Sequence, residues 1–380
     1  MKCADMTGIA TGRRDGRDMP NFENLKRVLL CQGEPDYVPL FEGTIAEDIK
    51  SQYLGRPVRG LEDEVDFCMQ AGYDFVPLTI GLRQTLRGEL TGIMGTKEVE
   101  TSVLKAAEGN YNPFTEESNT RMWAEHGQGV ICDEASIEAF PWPEADSFSY
   151  DTVERLGRLL PDGAKAIINV GYIFTAPWML MGLEPFCISL ATGDGVAQKV
   201  IERVGKIQKQ VVKNLVQFDC VGAIRMPDDL GYTTGVMISP RLLREYIFPW
   251  DKQIGDVVKQ AGLMYLYHSD GRLYDVMNDL VDCGFCAIHP CEPASMDIAE
   301  LKRKYHGRLC VCGNIDLDST LTLGTPADVE EEVKMRIRTL APGGGYCCGA
   351  SNSVPEYVPF DNYIAMIETV KKYGKYPICV

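Results

Sequence analysis

Two short apolar runs in the second half of the chain stop abruptly on polar side chains of the kinds that bind metals. The first run ends on His268 and Asp270, and the second ends on His289 and Glu292. A parallel strand buried on both faces has an almost continuously apolar sequence, and the chemistry of a (β/α)8 barrel takes place where its strands end. Since the chain has only 4 histidines, two of them at successive strand ends favour a functional site. The alternative is that each is a hydrogen-bonded structural histidine.

The remainder of the chain alternates between strand-like and helical patterns. Eight apolar runs are predicted to be strands: residues 37–41, 73–80, 164–171, 220–226, 262–268, 285–289, 309–314 and 345–348. Strands that alternate with helices indicate βαβ units and a parallel sheet. Eight of them favour a closed barrel over an open doubly wound sheet. The predicted fold class is therefore α/β, a (β/α)8 TIM barrel.

The same pattern predicts a single domain with two additions. Residues 1–20 are expected to be a flexible N-terminal arm, and residues 21–380 to form the barrel. The alternation is interrupted at about residues 81–140, which are rich in glycine and short apolar runs. We interpret this segment as an insertion of hairpins and loops over the barrel mouth that carries substrate contacts.

Composition excludes several classes of function. The formal net charge is −16 and the pI is near 4.8, which argues against nucleic acid or an anionic membrane as a partner, because both need basic patches. No apolar run approaches the length of a membrane span, and residues 1–20 lack the apolar core of a secretion signal. We therefore expect a cytoplasmic protein, in which most of the 14 cysteines are free thiols or metal ligands.

The predicted strand ends carry polar side chains that a barrel would bring onto one rim. They are Glu42, Thr79, Tyr172, Asp228, Asp229, His268, Asp270, His289, Glu292, Asn314, Cys347 and Cys348. Carboxylates, imidazoles and thiols that converge can bind a metal or perform acid–base chemistry. A catalytic zinc takes three nitrogen, sulfur or oxygen ligands and keeps one position open. The alternatives are capping roles for the two aspartates and buried core thiols for the two cysteines.

Short motifs follow one another in a specific order along nearly the whole chain. They lie at residues 33–39, 175–180, 227–231, 238–240, 268–271, 312–316, 340–344 and 373–377. In this order they resemble the uroporphyrinogen decarboxylase superfamily, in particular its methyltransferase-like branch, which is corrinoid-dependent and of the zinc type. The resemblance implies a (β/α)8 barrel with its site at the C-terminal mouth.

The branches of that superfamily differ at two places. True decarboxylases carry an arginine-rich segment after the first strand, whereas this chain has Glu42-Gly-Thr-Ile-Ala46, which argues against a tetrapyrrole substrate. Zinc methyltransferases that serve coenzyme M carry His-x-Cys after a middle strand and a later Cys in a Pro-Gly-Cys context. Here Asp270 takes the first cysteine position, and Pro342-Gly343-Gly344 lacks the second.

The resemblance therefore implies His268 as a metal ligand, with the remaining ligands still open. Asp270 could replace one sulfur by oxygen, and further candidates that could complete the set are His289, Glu292, Cys347 and Cys348. We expect zinc as the metal and a corrinoid that is carried by a partner protein rather than bound here. Candidate substrate-binding residues are Glu42, Tyr172, Trp178 and Asn314.

Three functions follow as hypotheses. The first is methyl transfer between a small methylated substrate and a separate corrinoid protein, with Asp228, Asp229 and His268 as catalytic residues. The second is a metal-free decarboxylase that acts on a small carboxylated substrate with the same three residues. The third is a binding protein without catalytic activity that uses the same pocket. A homodimer is the oligomeric state considered for all three.

Overall fold

The computed structural model describes residues 19–82 and 129–380. A parallel sheet of seven strands runs through it in the order β1-β2-β3-β6-β7-β8-β9. These strands are β1 (Phe75–Thr79), β2 (Lys165–Asn169), β3 (Val221–Pro227), β6 (Met264–His268), β7 (Ala287–His289), β8 (Cys310–Cys312) and β9 (Tyr346–Cys347). A small hairpin of β4 (Gly231–Tyr232) and β5 (Gly235–Val236) follows β3. Seven of the eight predicted strands are thereby confirmed.

The remaining predicted strand, residues 37–41, is the first in the chain and lies beside β9. Leu40 forms a parallel bridge with Cys348, the residue directly after β9, and Tyr37 forms an antiparallel bridge with Lys375. The Phe41 amide donates to the Cys348 carbonyl at 2.9 Å, and the Cys348 amide donates to the Pro39 carbonyl at 2.9 Å. The Phe41 and Phe75 rings, with centroids 5.2 Å apart, bring this segment against β1. The eight segments thus follow the order of a (β/α)8 barrel, as predicted.

Helices cover the outside of the sheet. Their bounds are Phe22–Leu29, Glu47–Leu54, Leu61–Ala71, Glu134–Ala139, Tyr150–Leu159, Thr175–Met181, Leu183–Thr192, Val196–Leu215, Pro240–Leu242, Phe248–Gln260, Met277–Asp282, Ile298–Lys304, Pro326–Leu340 and Phe360–Tyr373. Two π-helical turns, Leu243–Ile247 and Leu317–Thr322, and a 3₁₀ turn, Ala145–Ser147, complete the set. No helix among the described residues has the length and apolar character needed to cross a bilayer.

The longest helix illustrates why these segments are helical. Within Val196–Leu215 the side chains of Val200, Val204, Val211 and Leu215 are fully buried, and charged residues occupy the other face. Apolar side chains spaced three or four residues apart form one stripe of a helix, which buries itself against the sheet. Because such helices alternate with fully buried strands, the hydrophobic core lies between the sheet and the surrounding helices.

Part of the predicted insertion lies outside the described residues, as does almost all of the predicted N-terminal arm. For the insertion this concerns residues 83–128, and for the arm residues 1–18. The described end of the insertion contains the helix Glu134–Ala139, which Asp133 caps by accepting from the Ser136 amide at 2.7 Å. At the start of this described part, the Gly129 amide donates to the Met181 carbonyl at 2.9 Å, at the end of the helix Thr175–Met181.

The strand register places several polar side chains inside the barrel. Asn169 of β2 aligns with Arg225 of β3, and His268 of β6 aligns with His289 of β7. Aligned residues of neighbouring parallel strands point to the same face of a sheet, and residues two apart on a strand also share a face. Because Arg225 aligns with Leu266, two residues before His268, all four polar side chains share the interior face.

Candidate active site

Three side chains that could bind a metal meet at the C-terminal ends of β3 and β6. His268 Nε2 lies 3.9 Å from Asp229 Oδ1 and 3.7 Å from Asp270 Oδ1, and one donor atom from each residue lies within 4.8 Å of the other two. The loops are aligned because the Asp270 amide donates to Asp229 Oδ1 at 3.1 Å. The Asp229 and Asp270 side chains are 32% and 30% exposed, so small molecules can reach this triad.

The donor set of the triad fits zinc. Zinc accepts imidazole nitrogen and carboxylate oxygen at about 2.0–2.2 Å, and a catalytic site uses three protein ligands. Ligand atoms around a tetrahedral ion with such bonds are about 3.3 Å apart, so the observed separations of 3.7 and 3.9 Å require only a small inward shift. Asp229, His268 and Asp270 would hold the ion.

A second layer of polar residues supports the triad. Asn352 Nδ2 donates to Asp270 Oδ1 at 3.0 Å and to Glu292 Oε1 at 3.3 Å. Glu292 Oε2 accepts from the Gly271 amide at 2.9 Å. Glu292, one of the ligand candidates, therefore lies behind Asp270 and orients it. The sequence reasoning missed Asn352; its signal is a polar Ser-Asn-Ser run shortly after the last predicted strand.

Arg225 is the second functional residue that sequence reasoning missed. Its buried side chain reaches into the barrel, where Nη2 lies 2.7 Å from His268 Nδ1 and 3.1 Å from His289 Nδ1. Nη1 donates to Asn169 Oδ1 at 3.4 Å. A Cβ at Gly43 would overlap this guanidinium, which explains the glycine at that position. An arginine inside the apolar run that forms β3 was the available signal.

The two histidines take different roles in this arrangement. Burial and the adjacent Arg225 hold the pKa of His289 well below its usual range, so it is neutral and its Nδ1 accepts from Arg225, which can only donate. His268 Nδ1 lies 2.8 Å from His289 Nδ1. The same Arg225 Nη2 lies 2.7 Å from His268 Nδ1 and can only donate, so it orients the His268 ring, whose Nε2 faces the triad.

Glu42 forms part of a cavity on the other side of Arg225. The cavity has a volume of about 170 Å³ and is lined by polar and aromatic side chains, among them Glu42, Thr44, Tyr73, Phe75, Thr79 and Asn169. Glu42 Oε1 accepts from the Ala350 amide at 2.6 Å, and Oε2 has no hydrogen-bond partner among the described residues. Burial raises the pKa of Glu42 to about 8. The group can therefore donate a hydrogen bond into the cavity at neutral pH.

Asp228 lies outside the triad and binds the protein backbone. Its Oδ2 accepts from the Phe174 amide at 2.7 Å, and its Oδ1 accepts from the Thr175 amide at 2.8 Å. Burial raises the pKa of this carboxyl to about 6, although the hydrogen bonds oppose the shift. The contacts fasten the end of β3 to the start of the helix Thr175–Met181, which is the capping role considered as an alternative.

Replacing Asp228 by alanine should lower the free energy of unfolding by roughly 2–4 kcal/mol, because two buried amides lose their acceptors. Urea unfolding measures the change, with the exposed Asp275→Ala as a matched control that should stay within about 0.5 kcal/mol of the wild type. Unchanged stability with lost turnover would instead assign Asp228 to the chemistry.

The other candidate residues are not members of the triad. Tyr172 follows β2, where its amide donates to the Pro227 carbonyl at 3.3 Å, and Trp178 is buried in the next helix. Asn314 Nδ2 donates to the Cys291 carbonyl at 2.6 Å. Cys347 groups with two cysteines of β8, and Cys348 is buried beside Tyr346. None of these five residues lines the cavity beside Glu42.

A solved structure and a protein family are similar to this chain. A methyltransferase from Methanosarcina mazei superposes with a TM-score of 0.65 at 14% identity, covering 92% of this chain and 98% of that one. A mannanase from Bacillus subtilis reaches a TM-score of only 0.36 at 13% identity, covering 59% of this chain and 70% of that one. No curated protein sequence matches significantly.

The family match extends over most of the barrel. The sequence model of the uroporphyrinogen decarboxylase family matches residues 128–373, which is well over half of the 380 residues and includes every member of the triad. The Methanosarcina structure shares the fold over 92% of this chain. The protein therefore belongs to the uroporphyrinogen decarboxylase family.

Proposed function

We propose that this protein is a methyltransferase that moves a methyl group between a small methylated substrate and a corrinoid carried by a separate protein. The observation that carries the proposal is the solvent-accessible nitrogen and oxygen donor set of Asp229, His268 and Asp270 at the barrel mouth. The similar fold of a protein described as a methyltransferase supports the same reaction class.

The residues of the triad fit zinc, which as a Lewis acid would make the heteroatom of the substrate a better leaving group. Asp229 and Asp270 supply oxygen rather than thiolate ligands. Harder oxygen donors suit a substrate whose methyl group is attached to oxygen or nitrogen. We therefore favour the demethylating direction, in which the corrinoid accepts the methyl group.

Substrate binding falls to the cavity beside Arg225. Asn169 is part of its lining, and the guanidinium that contacts Asn169 also contacts His268. A small substrate in this cavity would be linked to the triad through Arg225, while Glu42 donates a hydrogen bond to it. Methyl transfer requires reacting atoms to approach within about 3–3.5 Å, so the corrinoid protein must dock over the mouth.

Arg225 also favours a second candidate, a decarboxylase. An arginine inside the barrel offers a rigid pair of donors that match a carboxylate, and it lies beside the cavity. In that reaction Asp229 and His268 would exchange protons with the substrate carbon. Metal-free proton chemistry of this kind needs no corrinoid.

One experiment separates the two candidates. The purified protein is mixed with a reduced cob(I)alamin protein and a panel of small methylated ethers, amines and thiols. The proposal expects the absorbance change of methyl-cobalt formation with at least one compound. No such change across the panel, together with CO2 release from a carboxylated compound, would replace the methyltransferase by the decarboxylase.

A further inference from the structure

A second group of ligand-type side chains lies inside the barrel, apart from the triad. Cys310 and Cys312 of β8 and Cys347 of β9 place their Sγ atoms within 4.8 Å of one another. All three are buried, at 0–1% exposure. Cys310 aligns with Ala287 of β7, two residues before His289, so the cysteines share the interior face with the histidines.

This composition is unusual for a barrel interior. Layers of side chains fill such interiors, and bulky branched residues dominate them. Here thiols occupy three adjacent interior positions on two neighbouring strands, Cys312 being directly aligned with Cys347. A thiol behaves as a small hydrophobe when buried alone, but three sulfurs within 4.8 Å of one another also form a ligand set for a soft metal.

Two further groups border the cluster on the side where β9 begins. A Cβ built on Gly345, which directly precedes β9, would lie 3.1 Å from Cys31 Sγ and 3.7 Å from Lys302 Nζ. Lys302 reaches this point from its helix and donates to the Gly344 carbonyl. The cluster therefore has a fourth sulfur and a cation beside it.

The charges balance when a divalent ion is bound. Three thiolates around a divalent cation leave one net negative charge, and the Lys302 ammonium can neutralise it. Burial raises the pKa of each of the three thiols well above its usual range in the absence of a metal. Metal binding would displace the protons and favour the thiolates, as it does at thiolate sites generally.

We propose that Cys310, Cys312 and Cys347 bind a thiophilic d10 metal ion such as zinc, at a site separate from the triad at the mouth. Zinc–sulfur bonds of about 2.3 Å place tetrahedral sulfurs about 3.8 Å apart, which the observed limit of 4.8 Å accommodates. With all three sulfurs buried, the ion would enter during folding and stabilise the barrel interior.

Cobalt(II) distinguishes the two sites, since the mouth triad contains no sulfur. The protein is produced in cells grown with cobalt in place of zinc and its absorbance is recorded. The proposal expects intense thiolate-to-cobalt charge-transfer absorption in the near ultraviolet, in the wild type and equally in His268→Ala. Cys312→Ser and Cys347→Ser should each lose it, together with one metal ion per chain.

Cys348→Ser is the matched control, because Cys348 directly follows Cys347 and is equally buried but lies outside the cluster. It should keep both the absorption and the metal content. The proposal is overturned if the cobalt-grown wild type shows no sulfur–cobalt absorption. It is also overturned if the absorption survives both cluster variants. Since the wild-type spectrum alone can refute it, misfolding of a serine variant leaves the test intact.

Discussion

His268→Ala should slow methyl-cobalt formation at least about 100-fold and remove one zinc ion per chain. The loss of several kcal/mol of Lewis-acid stabilisation accounts for that magnitude, because His268 supplies the only nitrogen of the triad. Its side chain lies at the mouth and is 12% exposed. Stopped-flow absorbance follows the methyl transfer, and elemental analysis follows the zinc.

Two further variants serve as a second test and as a control for this result. Asp229→Ala removes another candidate ligand and should slow the reaction to a similar extent. Cys283→Ala should leave the rate unchanged, because the Cys283 thiol lies behind the sheet, where it donates to the Phe248 carbonyl at 3.5 Å. If His268→Ala keeps its full zinc content at equal affinity, the metal assignment is wrong. If the variant unfolds, the structural role of His268 is favoured.

Glu42→Gln should make the protein markedly more stable than the wild type at pH 8 and similar to it near pH 4.5. Burial raises the pKa of Glu42 from 4.5 to about 8, so between these values the unfolded chain releases a proton that the folded chain retains. Wild-type stability is therefore fully present below pH 4.5 and falls as pH rises towards 8. The full shift corresponds to on the order of 3–5 kcal/mol.

Denaturant unfolding at a series of pH values measures this difference. The glutamine keeps an oxygen that can accept from the Ala350 amide, so the hydrogen bond observed at 2.6 Å survives. The exposed Glu138→Gln serves as a control and should follow the wild type at every pH. If the wild type and Glu42→Gln lost stability in parallel between pH 4.5 and pH 8, Glu42 would not titrate in this way.

The fold could be predicted from the sequence because it depends on local patterns. Fully buried parallel strands are apolar along their whole length, and the amphipathic stripe of a helix repeats every three or four residues. The segment 37–41 was recognised in the same way, although it forms only one bridge with β9. The proximity of His268 and Asp270 at the mouth could also be predicted, because two residues at the end of one strand are neighbours whatever the register of the sheet.

The rest of the site depends on which strands become neighbours. Arg225 acts on His268 and His289 only because β3 lies beside β6 and β6 beside β7. Asn352 reaches Asp270 across 82 positions of sequence. For Cys347 the candidate partner was His268, yet the pairing of β8 with β9 brings it to other cysteines instead. Such long-range contacts have no signature in a single sequence.

The seam between residues 37–41 and β1 has a consequence for the range of molecules the barrel can accept. In the described chain β1 pairs only with β2, and the segment 37–41 bridges only to β9 and a C-terminal residue. The cavity beside Glu42 opens along this seam. Elsewhere, enlarging the interior would break a continuous ladder of backbone hydrogen bonds. Here side chains join the two edges, namely the Phe41 and Phe75 rings and the Tyr37 hydroxyl that donates to Asp74 at 2.9 Å, so a wider interior at this seam would leave the paired strands intact.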